Sequence, residues 1–556
     1  MKILLAACNA KYIHSNPAVY DLKAYAAEFA DSIEIHEFTI NQTQDEVLKE
    51  LFLAAPDVLC VSCYIWNIRF ITAWTKELKQ VLPGTAFWAG GPEVSYAPET
   101  FLSEHPEFCG VMIGEGEAVF RELAAGYLSG EPDLSTIPGL AFRDNGVIRL
   151  TGLCPPVSLD DIPFIYKDVE LFHHRIIYYE SSRGCPFSCS YCLSSIDRHL
   201  RFRSLSLVLP ELQSFLDRKV PQVKFVDRTF NCRKDHAMAI WRYIRDHDNG
   251  VTNFHFEISA DLLEEDQIRL LGTMRPGLVQ LEIGVQSTNP LTLRAIRRSM
   301  DFERLARAVR AIARGGNIHQ HLDLIAGLPY EDYESFHRSF NQVFQLQPEQ
   351  LQLGFLKVLK GSRMHEEADT YGIRYKQEAP YEVLSTQWLS YSEILKLKTL
   401  ENMVEIYYNS GQFQMTTAYG ICCTGGDAFR FFERLAGFYE EKGYDRVSHS
   451  RMERAEILLE YLGSLPETRD DRSSDLLLYD MYVREKLKSS PSFEQDQKPF
   501  EKAVWSYRKE HRIPRTAHVE VFRDGRVILF DYERRDPLTN NAMAVDITDD
   551  VKPLTG

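Results

Sequence analysis

The first 130 residues of the chain alternate short apolar runs with longer amphipathic segments. Apolar runs of strand length begin near residues 2, 32, 57, 86 and 110. Between them the apolar positions recur with helical spacing, which predicts helices such as 43–55 and 67–82. This alternation predicts an α/β domain over residues 1–132, built on a doubly wound, Rossmann-like parallel sheet.

Glycine and small polar residues follow the predicted strands of this sheet. Ligands of such sheets bind beyond the carboxyl ends of the strands. We therefore expect a cofactor crevice formed by the strand-end segments 9–17, 62–67, 90–95 and 114–117. The alternative is that the glycines only form tight turns. Because Gly114 and Gly116 lack the third glycine of the dinucleotide fingerprint, a nicotinamide cofactor is not expected.

A second strand–helix alternation, with a longer period, covers residues 175–370. A proline-containing connector over 133–174 precedes it and carries a predicted hairpin at 139–150. The predicted strands of the second region begin near residues 176, 222, 253, 278, 318 and 350. Six successive strand–helix units predict a partial (β/α)6 barrel, a fold in which the chemistry takes place at the C-terminal mouth.

The remaining residues, 371–556, form a predicted accessory domain whose pattern is mostly helical. Helices are indicated at 391–411 and 451–465, followed by a polar stretch at 488–499. A late hairpin is predicted at 518–532, with its turn at Asp524 and Gly525.

Composition and charge limit the possible functions. The 556 residues, of which 44% are hydrophobic and 26% charged, are typical of a globular protein with several domains. With 63 Lys and Arg against 79 Asp and Glu, the net charge of −16 disfavours nucleic acid as a partner. No apolar run reaches the roughly 18 residues of a spanning helix, and the N-terminus lacks the pattern of a signal peptide. We expect a cytoplasmic protein that is not bound to a membrane.

Three of the eleven cysteines, Cys185, Cys189 and Cys192, lie together directly after the first predicted barrel strand. An odd number of cysteines without a secretion signal favours free thiols and metal ligation over disulfides. Three cysteines at this spacing can bind three corners of a four-iron cluster and leave one iron without a protein ligand. The alternatives are a zinc site completed by His199 or a distant group, and three unrelated buried thiols.

The spacing Cys185-x₃-Cys189-x₂-Cys192, with Tyr191 before the last cysteine, resembles the radical S-adenosylmethionine superfamily. In that family the open iron is chelated by the amino and carboxylate groups of S-adenosylmethionine. The resemblance implies that the three cysteines bind a [4Fe–4S] cluster, with Tyr191 beside S-adenosylmethionine. It also implies cleavage to a 5′-deoxyadenosyl radical, driven by an external electron donor of the flavodoxin or ferredoxin type.

Four further residues resemble the branch that includes the oxygen-independent coproporphyrinogen oxidases and the methylthiotransferases. The resemblance implies hydrogen bonds to S-adenosylmethionine from Glu257, Gln286 and Asp323. For Arg298 it implies pairing with the carboxylate. Each residue could instead be a salt-bridge or strand-end partner. Because Arg297 is adjacent to Arg298, the sequence leaves open which of the two points inward.

The N-terminal domain, placed ahead of the cysteine motif, resembles that of the cobalamin-binding radical S-adenosylmethionine proteins. In those proteins the corrinoid lies between this domain and the barrel mouth, with cobalt facing S-adenosylmethionine. The resemblance covers about residues 1–365. The residues that it places in the cobalamin crevice are Ser62, Tyr64, Asn67, Gly90, Gly91, Glu93, Gly114 and Gly116.

One motif of many corrinoid proteins is absent. The D-x-H-x-x-G motif, which supplies cobalt with a lower histidine ligand, has its nearest match at Asp197 to His199, where the glycine is missing. Cobalamin is therefore expected to bind without that histidine, for which His14 is a weak substitute. The same departure leaves open that the domain has lost its cofactor.

The favoured function is methylation of an unactivated carbon in a small molecule, one resembling a natural product, by a radical S-adenosylmethionine enzyme with cobalamin. Two cofactors give a physical reason for two α/β domains, because the protein must place their reactive atoms against one another. The alternatives are a cobalamin-dependent radical rearrangement or cyclisation without methyl transfer, and a regulatory protein that binds a corrinoid or zinc without catalysis.

Overall fold

A computed structural model of the chain describes residues 1–130 and 132–551; the end of the predicted accessory domain, 552–556, lies outside them. Within this part of the chain, every helix is too short or too polar to cross a membrane. The architecture is the predicted one, with an N-terminal doubly wound sheet, a six-stranded parallel sheet of a partial barrel and a mainly helical C-terminal region.

The N-terminal sheet has seven strands in the order β2-β1-β3-β4-β5-β6-β7, of which the first five are parallel. Its strands are β1 (Ile3–Asn9), β2 (Ile33–Thr39), β3 (Val58–Ser62), β4 (Ala86–Gly90), β5 (Gly110–Met112), β6 (Leu140–Asp144) and β7 (Val147–Leu150). Its helices are α1 (Pro17–Tyr25), α2 (Gln44–Ala54), α3 (Ile68–Val81), α4 (Pro92–Ser95), α5 (Pro98–Glu104) and α6 (Gly116–Ser129).

The predicted connector is not a separate hairpin. Strand β6 pairs antiparallel with β5, and β7 pairs with β6, so the hairpin extends the N-terminal sheet. The edge of β5 offers unpaired backbone groups that an adjacent hairpin can satisfy. The sequence pattern identified the hairpin but gave no information about its partner strand.

Local sequence explains the sheet and its helices. Every residue of β1 is buried, because alternate residues pack into apolar layers on the two faces of the sheet. Helix α2 begins with a capping box in which the side chains of Thr43 and Glu46 bond each other's backbone N–H.

The second region is a parallel sheet in the order β15-β14-β13-β12-β11-β8. Its strands are β8 (Ile177–Tyr179), β11 (Gln222–Phe225), β12 (Asn253–Ile258), β13 (Val279–Gln286), β14 (His319–Ala326) and β15 (Gln350–Phe355), with a two-stranded ribbon of β9 (Ser182–Arg183) and β10 (Arg201–Phe202). Its helices are α7 (Leu205–Asp217), α8 (Lys234–Asp246), α9 (Glu265–Leu271), α10 (Pro290–Ala295), α11 (Phe302–Ala313), α12 (Tyr333–Phe344) and α13 (Arg363–Glu366).

Up to residue 551, the accessory region contains six α-helices and two small sheets. They are β16 (Arg374–Tyr375), β17 (Val383–Ser385), α14 (Tyr391–Val404), α15 (Gln414–Cys423), α16 (Ala428–Lys442), α17 (Arg451–Gly463), α18 (Asp470–Arg484), α19 (Glu501–Glu510), β18 (His518–Val521), β19 (Val527–Arg535) and β20 (Ala542–Asp546). The late hairpin is present as β18 and β19, and β20 adds a third strand that the sequence pattern did not indicate.

A strap over residues 374–385 returns from the accessory region to the N-terminal domain. Ala379 and Tyr381 are buried in the apolar layer of that domain. The Tyr381 hydroxyl donates to the Glu93 carboxylate, which also lies 3.3 Å from the ammonium of Lys360. The N-terminal domain and the barrel are therefore joined a second time through this strap.

Candidate functional site

A cavity of about 190 Å³ at the carboxyl ends of the barrel strands contains the predicted cluster and S-adenosylmethionine residues. We call it the cysteine cavity. Its lining includes all eight of them: Cys185, Cys189, Tyr191, Cys192, Glu257, Gln286, Arg298 and Asp323. Residues far apart in sequence are brought together because the carboxyl ends of parallel strands meet at one mouth.

The cysteines lie on the loop between β9 and β10, which we call the cluster loop (residues 184–200). Gly184 has φ +94°, and a Cβ there would lie 2.6 Å from the His199 carbonyl oxygen, so the loop requires glycine at this position. The backbone of Ser190 fixes the loop from behind. Its N–H donates to the Ile296 carbonyl at 2.9 Å, and its carbonyl accepts from the Met364 N–H at 2.8 Å.

The spacing of the thiols argues against a mononuclear zinc site. Among the described residues, the three cysteine sulfurs do not all lie within 4.8 Å of one another. Tetrahedral zinc, with Zn–S bonds of about 2.3 Å, brings its thiolates to about 3.8 Å from each other. The side chain of His199, the proposed fourth zinc ligand, is 88% exposed and lies beside Asp197. The wider spacing fits a cluster of several irons better.

Gln286 is directed into the cavity by an irregularity in β13. The register between β13 and β14 shifts between Gly284 and Gln286, and Gln286 has φ +72°. A Cβ at residue 284 would lie 2.3 Å from the Gln286 Nε2, so the glycine leaves room for this side chain. The Gln286 Oε1 is buried without a hydrogen-bond partner. Strained backbone and an unsatisfied buried amide are typical of a ligand site.

Arg298, and not Arg297, points into the cavity. Its guanidinium Nη1 lies 3.8 Å from the Cys189 Sγ and 3.5 Å from the Tyr191 hydroxyl. Its Nε is buried without a partner, whereas Arg297 is exposed on the surface. The Arg298 guanidinium therefore has an N–H without a partner. This is the residue that the sequence predicts to pair with the carboxylate of S-adenosylmethionine.

Two of the three carboxyl groups that line the cavity, those of Glu257 and Asp323, are hard to ionise. Burial raises the pKa of Glu257 to about 7, although the guanidinium of Arg228 opposes the rise. Burial also raises the pKa of Asp323, against the opposing effect of His321, whose Nε2 lies 3.2 Å from the Asp323 Oδ1. A cationic ligand would favour the charged form of both groups.

Sequence reasoning missed several residues of the same cavity. Arg228, Thr229, Ser259 and Glu282 also line it. The first three follow the carboxyl ends of β11 and β12 and could have been found from their position. Glu282 lies within β13, and the strand pattern gave no sign that its side chain reaches the mouth.

The second cavity, of about 600 Å³, lies at the carboxyl ends of the N-terminal strands. We call it the glycine cavity. Six of the eight predicted crevice residues line it: Ser62, Tyr64, Gly90, Gly91, Gly114 and Gly116. Leu5, Cys60 and Met112 provide apolar walls beneath them. The mixture of apolar walls and few polar groups is typical of a cofactor site.

The glycines of this cavity allow close approach to its backbone. A Cβ at Gly91, which has φ +109°, would lie 2.6 Å from the Cys63 carbonyl oxygen. A Cβ at Gly114 would meet no atom within 4 Å, so a side chain there would extend into open space. Gly91 is therefore required by the close packing of its own turn against Cys63, whereas Gly114 leaves space open beside its backbone.

Asn67 and Glu93 do not line the glycine cavity, although the sequence placed both in the crevice. Asn67 is fully buried; its amide donates to the carbonyls of Cys8 and Ser62 at 3.0 Å and accepts from the Tyr64 N–H at 2.8 Å. Glu93 is bound through its Oε1 to Tyr381 of the strap and to Lys360. The polar side-chain atoms of Asn67 are all engaged within the protein.

His14 is not a ligand of the glycine cavity either. Its Nδ1 lies 2.6 Å from the Tyr178 hydroxyl of the first barrel strand, and its backbone bridges to Ile176. The expectation that a corrinoid binds without a histidine ligand stays a prediction.

Comparison with known families matches three segments of the chain. Residues 3–124 match the B12 binding domain, and residues 179–343 match the radical SAM superfamily. Residues 369–524 match a family described as a protein of unknown function (DUF4080). The first two matches coincide with the glycine cavity and the cysteine cavity.

Two relatives of known name are similar to part of the chain. The cobalamin-dependent radical SAM methyltransferase TokK of Streptomyces tokunonensis is 28% identical over 351 residues, 58% of this chain and 50% of that protein. The 2-(S-pantetheinyl)-carbapenam-3-carboxylate methyltransferase of Streptantibioticus cattleyicolor is 29% identical over 314 residues, 50% of this chain and 44% of that protein. The chain thus spans about half the length of these relatives.

A solved structure has the same fold. The cobalamin-dependent S-adenosylmethionine radical enzyme OxsB, with aqua-cobalamin bound, superposes with a TM-score of 0.58 at 14% identity, covering 88% of this chain and 77% of that one. The domain matches confirm the predicted cofactors, a [4Fe–4S] cluster, S-adenosylmethionine and cobalamin. The chain therefore contains a B12-binding domain over residues 3–124 and a radical S-adenosylmethionine domain over residues 179–343.

Proposed function

We propose that the protein is a cobalamin-dependent methyltransferase that acts on an unactivated carbon of a small, natural-product-like molecule. The observation that carries this proposal is that one loop borders both cavities. Cys185, Cys189 and Cys192 of the cluster loop line the cysteine cavity, whereas Ile196 and Asp197 of the same loop line the glycine cavity. Two cofactors in these cavities would be neighbours, as methyl transfer requires.

The residues of the cysteine cavity have complementary roles. The three cysteines would hold the cluster, and Arg298 would pair with the carboxylate of S-adenosylmethionine. Gln286, Glu257 and Asp323 would bind its polar groups, which would satisfy the unpartnered Gln286 amide oxygen. When bound, the cluster and S-adenosylmethionine supply a radical that removes hydrogen, and cobalamin supplies the methyl group.

The residues of the glycine cavity would hold the corrinoid by shape. Gly90, Gly91, Gly114 and Gly116 would lie against its ring, and Ser62 would bond its amide groups. Burial raises the pKa of Tyr64 to about 12. Near neutral pH this phenol therefore stays protonated and acts as a hydrogen-bond donor instead of an anionic cobalt ligand.

The two relatives named above favour methylation. Both are methyltransferases. We further propose that an external flavodoxin or ferredoxin supplies the electron and that the protein works in the cytoplasm. Eleven free cysteines suit such a reducing compartment.

Anaerobic reconstitution tests the proposal. Iron, sulfide and corrinoid would be measured per chain, followed by the products formed from S-adenosylmethionine with candidate substrates. Methylation predicts that 5′-deoxyadenosine and S-adenosylhomocysteine accumulate together.

Two other results would contradict the proposal. If only 5′-deoxyadenosine formed with a substrate that is converted, the rearrangement or cyclisation would be favoured instead. A protein that takes up corrinoid or zinc but no iron would be a regulatory protein.

A further inference from the structure

A surface behind the cluster loop combines aromatic and basic side chains. We call it the donor face, and its residues are Leu291, Arg294, Arg297, Tyr330, Tyr371 and Trp388. Leu291 is 53% and Tyr330 44% exposed. Large apolar side chains that remain exposed together are typical of an interaction surface.

Contacts show that these residues form one surface. The Asn289 amide donates to the Tyr330 carbonyl at 2.8 Å, which joins the start of α10 to the segment after β14. The ring of Tyr330 lies 4.5 Å from that of Trp388 and 6.1 Å from that of Tyr371. Burial raises the pKa of Tyr371, and the nearby charge of Arg297 opposes that rise.

The donor face is directly connected to the cysteine cavity. Within the turn that follows α10, Ile296 accepts the Ser190 N–H of the cluster loop at 2.9 Å. Arg298 approaches the Cys189 Sγ at 3.8 Å. Arg294 and Arg297, which alternate with them, are exposed. One short turn therefore links the protein surface to a cysteine of the candidate cluster.

The charge of this surface is opposite to that of the whole chain. Among the described residues, Arg294 and Arg297 form no ion pair, although the chain has a net charge of −16. Arg304, Arg307 and Arg310 are further exposed arginines on α11, the next helix along the chain. Unpaired positive charge beside an apolar centre favours a partner with an acidic rim.

We propose that the donor face binds an acidic one-electron carrier protein that reduces the cluster. This inference rests on the proposed function, because it requires a redox cluster in the cysteine cavity. The carrier loses one electron from its reduced cofactor, and the oxidised cluster gains that electron. No bond is formed or broken in this step, and the carrier leaves in its oxidised form.

The experiment compares two reductants on the full-length reconstituted protein. Arg294 and Arg297 would be changed together to Glu, and cluster reduction would be followed by stopped-flow absorbance at low salt. With flavodoxin hydroquinone as the carrier, we expect the variant to be reduced about tenfold more slowly or worse. With the small, photogenerated 5-deazaflavin radical, we expect the same rate as for the unaltered protein.

The matched control reverses two exposed arginines of the accessory region, Arg446→Glu with Arg515→Glu, which should leave both rates unchanged. Equal flavodoxin rates for the unaltered protein and the Arg294/Arg297 variant would overturn the docking proposal. Slower reduction by both reductants would also overturn it, because that result indicates a damaged cluster site. A cluster that the deazaflavin radical cannot reduce in the unaltered protein would instead refute the proposed function.

Discussion

The two cavities differ in how the protein forms them. The cysteine cavity is built from side chains that converge from distant segments, with charged groups such as Arg298 and Glu257 held out of water. The glycine cavity is built mainly from backbone and apolar walls, with Gly90 and Gly114 at its opening. The first can recognise a ligand by charge and hydrogen bonding, and the second by shape. Each is therefore sensitive to a different kind of substitution.

The largest effect is expected from removing a thiol. Changing Cys185, Cys189 or Cys192 singly to Ala should abolish iron binding and 5′-deoxyadenosine formation, because a cubane cluster with an open iron has only three protein ligands. Iron analysis and product chromatography measure this loss, and visible absorbance measures corrinoid uptake. Corrinoid uptake should persist. If it disappeared as well, the two cavities would not be independent sites.

The next effect concerns the shape of the glycine cavity. Gly90→Leu adds bulk beside Met112, whose Cε lies 3.4 Å from the position of a Cβ at residue 90. Because Gly90 lines the cavity, a leucine side chain there would take up space that the corrinoid needs, and the corrinoid Kd should rise about ten- to a hundredfold. Equilibrium dialysis would measure this Kd. Gly437→Leu, at a site where a Cβ meets no atom within 4 Å, is the control. An unchanged corrinoid Kd in Gly90→Leu would argue against the glycine cavity as the corrinoid site.

A smaller effect is expected from pH at the cysteine cavity. With its pKa near 7, Glu257 is protonated at lower pH and loses its attraction for a cationic ligand. The Kd for S-adenosylmethionine should therefore rise as pH falls below about 7, by up to about tenfold per unit. Calorimetry between pH 6 and 8 would measure it.

The matched variants test which carboxylate causes this dependence. Glu257→Gln should bind S-adenosylmethionine with little dependence on pH. Burial also raises the pKa of Glu331 to about 7, but this residue lies outside the cavity lining, so Glu331→Gln should keep the pH dependence. A flat profile for the unaltered protein would be inconsistent with the assigned role of Glu257.

The smallest effect on a cofactor is expected at Asn67. Asn67→Ala leaves buried backbone groups of Cys8, Ser62 and Tyr64 without a partner, which should lower the free energy of unfolding by about 2–3 kcal/mol. Because its side chain does not reach the glycine cavity, the corrinoid Kd should change less than about twofold. Urea unfolding and dialysis measure the two quantities. A large loss of corrinoid affinity with an unchanged free energy of unfolding would indicate that the Asn67 side chain contacts the corrinoid.

The same difference between the cavities explains what the sequence could predict. Cysteine spacing and strand-end position were enough to place Cys185 at the barrel mouth, whereas Glu257 and Asp323 were predicted only from the resemblance to a known family. The strand-end rule could not separate Ser62, which faces the glycine cavity, from Asn67, which caps the loop internally. Side-chain direction within an irregular loop depends on tertiary contacts that a one-dimensional pattern does not contain.

The sequence pattern also could not predict which distant strands pair with each other. The hairpin of β6 and β7 was predicted, but its place beside β5 depends on which edge is free. Similarly, the turn at Arg297 and Arg298 offered two adjacent arginines of identical chemistry. The hydrogen bond from the Ser190 N–H to the Ile296 carbonyl fixes this turn, in which Arg298 points into the cysteine cavity.

The strap joins the end of the barrel back to the N-terminal domain. After the chain has formed the N-terminal domain and the barrel, Ala379 and Tyr381 pack into the apolar layer of the N-terminal domain. Because of this contact, unfolding of either domain would disturb the other. Denaturation should then show a single cooperative transition for both, instead of two successive ones. The strap of the accessory region would thus hold the two cofactor domains together as one cooperative folding unit.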